Sequence, residues 1–129
     1  MRYMLLIYGE EVQQDDGPAA EAPEISPPWL EYTDWLLREG IHTAGERLAG
    51  SSSATTVRAR DGARMITDGP YAETKEVLGG YYIIECDDLD KALEAAARCP
   101  AVAFGGSVEV RPIIGMPVPQ SVGATTTAR

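Results

Sequence analysis

The chain has 129 residues, 44% hydrophobic and 24% charged, which suits one globular domain and leaves little room for a second. Twenty acidic against 11 basic residues give a formal net charge of -9, which argues against nucleic acid and an anionic membrane surface as partners. No apolar run approaches the roughly 20 residues needed to cross a bilayer. The apolar stretch behind Met1 is too short for a secretory leader, so the expected compartment is the cytoplasm.

The segment Tyr3 to Tyr8 (YMLLIY) is short, apolar and aromatic, and predicts a buried strand. Gly9 to Ile25 is acidic and carries Gly17, Pro18 and Pro23, the composition of a long loop. Ser26 offers an N-cap and Pro27 and Pro28 suit a first helical turn. Trp29, Tyr32, Thr33, Leu36 and Leu37 follow at helical spacing, with Gly40 as the stop. Ile41 to Ala49 reads as a weaker strand in which alternation puts His42, Ala44, Glu46 and Leu48 on one face. Ala54 to Asp68 predicts a hairpin. Its Asp61-Gly62 suits a type I′ turn, which would set Val57 opposite Ile66 and aim Asp68 toward a covered side of the sheet.

Gly79 to Cys86 (GGYYIIEC) is apolar at both parities, so both faces of this strand expect cover. Asp87 and Asp88 place carboxylates at a helix start. Leu89, Ala92, Leu93, Ala96 and Ala97 then repeat as a helix packed on a sheet, and Pro100 ends it. Ser107 to Ile114 is a last strand, with Pro112 marking an edge or an end. The expected domain is residues 1–115, and the Pro-, Ser- and Thr-rich residues 116–129 read as a disordered tail. Cys86 and Cys99 match no metal-binding spacing and read as buried or half-buried thiols.

The order of elements predicts an α+β fold of ferredoxin-like architecture. Two helices cover one face of an antiparallel sheet, and the hairpin is inserted after the second core strand. The second sheet face is too apolar to stay bare. A second copy of the chain is its simplest cover, giving a homodimeric α+β barrel with a cleft between the sheets.

Several segments together resemble the YCII-related family, within its branch named for a DGPF signature: MRYMLLIYGEE, GERLA, TTVRARDGARMITDGPYAETKEVLGGYYIIE, DDLDKALEAAARCP and GSVEVRPI. The signature reads here Asp68-Gly69-Pro70-Tyr71, with Tyr in place of Phe. The resemblance implies a dimeric α+β barrel of ferredoxin-like subunits. It also implies a setting in which some relatives are enzymes with a proposed His–Asp pair in the cleft, and in which genes often neighbour sigma factors of the extracytoplasmic-function type.

Asp68 is the first candidate catalytic residue. In a partly desolvated cleft its carboxyl would act as general base; alternatively it only opens the turn, with Gly69 and Pro70 completing it. His42, the single histidine, suits proton transfer near neutral pH, with Glu46 as a carboxylate partner on the same predicted face. His42 lies outside the matched motifs, so the family's pair is not carried over to it, and a partly exposed strand-start histidine is the plain alternative. Lys75 would hold an anion, with Glu73 or Glu76 moving a proton, against the plain reading of a solvated connector. Tyr71 would stack on a ligand or pack into the core or a dimer seam. Arg111 shares a strand face with Glu109 and reaches toward the cleft or pairs locally. There is no phosphate-binding glycine loop and no ligand set for a metal, so no cofactor is expected. Two functions stay open: a cofactor-independent small-molecule enzyme using acid/base chemistry, and a non-catalytic ligand-binding or interaction module tied to stress-response regulation.

Overall fold

The computed structural model of the chain describes residues 1–10, 25–72 and 75–118. The expected loop over 9–25 and the tail over 116–129 lie largely outside them, as does Glu73. Among the described residues six strands and three α-helices follow in the order β1 (Arg2–Glu10), α1 (Pro27–Arg38), β2 (His42–Arg47), β3 (Thr55–Arg60), β4 (Ala63–Asp68), β5 (Glu76–Glu85), α2 (Leu89–Ala97), α3 (Pro100–Ala103) and β6 (Ser107–Pro112), with a single 3-10 turn at Ser51–Ser53 between β2 and β3. A four-stranded sheet has the order β2-β5-β1-β6 with every ladder antiparallel, and β3 and β4 form a separate two-stranded ribbon. This is the expected ferredoxin-like arrangement with an inserted hairpin. Among the described residues no helix is long and apolar enough to cross a membrane.

The helix layer is fixed to one sheet face by residues that register brings together. Residues paired across an antiparallel ladder share a face. Tyr3 opposes Ile84, and Leu5 opposes Tyr82 on one side and Val110 on the other. These residues meet Tyr32 and Leu36 of α1 and Ala92, Ala95 and Ala96 of α2 in the core. Leu5, Leu36 and Ile84 are fully buried, and each stabilises the fold by roughly 1.5–3 kcal/mol relative to exposure. The buried stripe of α2 is alanine with Cys99 beyond it, whereas Leu89 and Leu93, expected to face the sheet, are about half exposed. The small side chains let α2 approach closely enough for the Tyr32 hydroxyl to donate to the Ala95 carbonyl at 2.6 Å.

Helix ends follow local chemistry. At the end of α1, Gly40 adopts φ +73, with Gly40 N–H on the Leu37 carbonyl and Ile41 N–H on that of Leu36. That is a Schellman motif, and its usual apolar clasp is present because Ile41 and Leu36 are both buried. At the start of α2 the Asp88 carboxylate accepts the Lys91 N–H at 3.0 Å. Ser26, the expected cap of α1, makes no side-chain cap bond.

The hairpin turn is as the sequence predicts: Asp61 and Gly62 have φ +54 and +81, and Val57 opposes Ile66. The expected cover over it is corrected. All six residues of β4 are exposed, so Asp68 shares the face of Ile66 but points to solvent in the single subunit. The arm stands off the body because it leaves the sheet edge after β2 and returns only at β5.

Candidate functional site

The face of the sheet turned away from the helices is the candidate site. Its centre is apolar and half-buried, from Met4 and Leu6 of β1, Ala44 of β2, and Tyr81 and Ile83 of β5. One row runs straight across all four strands in register: Glu46, Tyr81, Leu6 and Glu109. The next row is Ala44, Ile83, Met4 and Arg111. With strands about 4.8 Å apart, two glutamates on opposite edges bracket an apolar strip roughly 14 Å wide.

The polar rim is hydrogen-bonded. Tyr8 donates its hydroxyl to Glu109 Oε1 at 3.3 Å, and Arg111 Nε lies 3.8 Å from Glu109 Oε2. Ser107 donates to Glu76 Oε1 at 2.8 Å. Tyr8 reaches this rim by alternation from Leu6 along an unbroken ladder with β6. On the other side β5 carries a bulge: Ile7 opposes Gly80 but Tyr8 opposes Leu78, and the extra residue, Gly79, turns Leu78 onto the open face. The arrangement can accept protons and donate hydrogen bonds along one edge, and can lay a planar apolar group across Leu6 and Tyr81.

The two expected catalytic residues are not brought together. His42 opposes Ile84 and its ring meets that of Tyr82 edge-on at 6.0 Å, so it faces the helix layer. The shared face expected for His42 and Glu46 is also corrected. A bulge at Thr43 sets His42 opposite Ile84 and Ala44 opposite Ile83, so the alternation slips by one residue and Glu46 lands on the open face. Asp68 lies in the separate two-stranded ribbon, opposite Thr55, outside the four-stranded sheet that holds His42.

Of the readings for Tyr71, packing into the subunit's own core is corrected: it is 78% exposed, with the Arg58 guanidinium 5.1 Å above its ring. Lys75 is exposed beside the start of β5, and Glu76 pairs with Glu10 in register on the open face. The Asp68 turn is held by its neighbours, through Gly69 N–H on the Ala54 carbonyl at 2.7 Å and the Thr56 hydroxyl on the Gly69 carbonyl at 2.8 Å. Tyr8, Tyr81 and Leu6 were not singled out by the sequence. Every position from 3 to 8 is apolar or aromatic, so parity within β1 gives no sign of which side the helices take.

Elsewhere, a shallow groove of about 400 Å³ between α1 and α3 is lined by Trp35, Arg38, Arg98 and Phe104. Its guanidinium groups are engaged by their own helices, Arg38 with Asp34 at 2.8 Å and Arg98 with Glu94 at 3.4 Å. Among the described residues no three His, Cys, Asp or Glu side chains are grouped to hold a metal ion. Burial pushes the Cys99 thiol up to about 11 and raises Cys86 as well, which makes both poor nucleophiles.

A helix-backed antiparallel sheet with a second face that is apolar at its centre and acidic at its rim defines a small α+β protein of ferredoxin-like build. The chain belongs to the YCII-related family: the model of the YCII-related domain matches residues 1–117. It is also 46% identical over 114 residues to an uncharacterized protein of Rhizobium meliloti (strain 1021), covering 88% of this chain and 92% of that protein.

Proposed function

We propose that the protein is a cytoplasmic homodimer that binds a small organic molecule between two facing sheets. The observation that carries this reading is the open face itself: half-buried Met4, Leu6, Tyr81 and Ile83 are bordered by the Tyr8–Glu109–Arg111 cluster and by Glu46. Apolar surface of this extent is stabilised by cover, and a second copy supplies the same face in return. The ligand class that fits is a molecule with a planar apolar body and polar ends, one end a carboxylate or hydroxyl for Arg111 and the other a donor for a glutamate. The thiols Cys86 and Cys99, both free, support a reducing compartment. The Asp68-Gly69-Pro70-Tyr71 stretch supports membership of the DGPF branch.

A second reading, acid/base catalysis without a cofactor, is favoured by one contact. The Tyr8 hydroxyl on Glu109, with Arg111 alongside, couples a phenol to a carboxylate at the edge of the strip. In that reading Glu109 replaces His42 as the proton carrier.

The test is a thermal-shift screen of a metabolite panel against the wild type, Glu109→Gln and Leu6→Asp, with the mass of each followed by sedimentation. Binding predicts a stabilising compound whose effect disappears in Glu109→Gln while the dimer persists. A protein that remains a folded monomer at micromolar concentration overturns the reading. Turnover of the compound by the wild type, lost in Glu109→Gln, selects the second reading.

A further inference from the structure

We infer that the β3–β4 hairpin is an exchange arm whose Val57–Ile66 face packs on a second copy of the chain and delivers Asp68 to the partner's open sheet face. The inference rests on the dimer proposed above and goes beyond it: the cleft is composite, and each half is completed by the other subunit's arm.

Three observations carry it. The first is that, among the described residues, the subunit gives the apolar face of the arm no cover. Val57 and Ile66 oppose each other at 60% and 58% exposure, and β4 is exposed along its length. A two-stranded hairpin alone in water is at best marginal, so an ordered arm with an apolar pair implies a surface to lie on.

The second is charge. Residues 55–68 carry Arg58, Arg60 and Arg64 against Asp61 and Asp68, a net +1 in a chain of net -9, leaving -10 on the rest. The open face is rimmed by Glu10, Glu46, Glu76 and Glu109. A basic arm and an acidic rim repeated on both copies are complementary across a two-fold axis. Arg64 opposes Ala59, so it shares the face of Val57 and Ile66 and meets that rim directly.

The third is the root. The chain leaves for the arm from the edge of the same sheet, where Leu48 N–H holds the Gly79 carbonyl at 2.9 Å, and the Gly69–Ala54 bond closes the hairpin's own base. Leu78, turned onto the open face by the neighbouring bulge, makes the apolar surface continuous toward this root. Asp68 lies on the arm's apolar face at the root, opposite Thr55, so packing that face on a partner encloses its carboxylate.

The experiment places a photo-crosslinking phenylalanine analogue at Ile66 in the full chain and reads products by mass. The expected result is a covalent species of twice the subunit mass, with the crosslink mapped to the partner's β1, β5 or β6. A dimer by sedimentation that yields only crosslinks within one chain overturns the arm and leaves the dimer standing. A monomer by sedimentation overturns both. In parallel, Val57→Asp combined with Ile66→Asp is expected to raise the dimer dissociation constant about a hundredfold with the far-ultraviolet circular dichroism unchanged. An unaltered constant overturns the arm.

Discussion

Gly45 is where a single side chain decides the packing of the sheet edge. It opposes Tyr82, and a Cβ there would sit 2.7 Å from the Tyr82 ring. That ring cannot swing aside easily. Its hydroxyl shares a 2.6 Å hydrogen bond with Thr33, and it meets Tyr32 edge-on at 5.4 Å. Gly45→Ala should therefore destabilise the protein by roughly 1–3 kcal/mol in denaturant titration, as overpacking does elsewhere. In a Tyr82→Leu background the same change should cost markedly less, and equal costs in both backgrounds would refute the contact as the cause. His42 shows the complementary lesson. A one-residue bulge turns it toward Tyr82, and no feature of IHTAGERLA announces that slip.

Among the strands and helices, the two N-caps differ in a way that can be measured. Asp88 caps α2 with a carboxylate on Lys91 N–H, whereas Ser26 makes no such bond. Asp88→Ala should cost about 1 kcal/mol and Ser26→Ala only a few tenths, read from the midpoints of chemical denaturation. Equal costs would mean the cap bond is not what holds α2. The elements themselves were legible because their signals are local. YMLLIY and GGYYIIEC carry strand composition, Asp61-Gly62 fixes the hairpin turn, and Gly40 stops α1. The site was much less legible. Which face of β1 the helices take depends on where α1 and α2 dock, and both parities of that strand are apolar. The register of Asp68 was legible and its exposure in the single subunit was not, because pairing is set within the hairpin and cover is set by what lies beyond it. Leu89 and Leu93 misled for a similar reason: helical spacing marks a stripe, but Ala92, Ala95 and Ala96 are what the close approach to the sheet admits.

For the protein as a single cooperative unit, the alkaline limb of its stability follows from the buried acids. Cys99 is held protonated up to about 11 by burial, and the Tyr32 phenol is raised far above its usual range, also chiefly by burial. In the unfolded chain a thiol ionises near ~8.5 and a phenol near ~10. Both groups have folded values above their unfolded ones. Their contribution is therefore fully present below about pH 8.5 and falls as pH rises, because the unfolded chain sheds protons that the fold retains. The melting temperature should decline progressively from about pH 9 to 11. Cys99→Ala should flatten the early part of that decline, and an unchanged slope would show that the thiol is not responsible.

The extra residue at Gly79 has a consequence for the chain's tolerance of change. With it, Leu78 and Glu76 share a side with Tyr8 and Glu10; paired without the bulge, the same residues would set Gly79 opposite Tyr8 and Leu78 opposite Gly9, and that stretch of β5 would be turned over. Removing Gly79 itself would leave Leu78 opposite Tyr8 in an unbroken ladder, so the position is slack in the strand. A one-residue deletion is absorbed here, whereas a deletion in the regularly paired part of β5 would turn over the side chains beyond it.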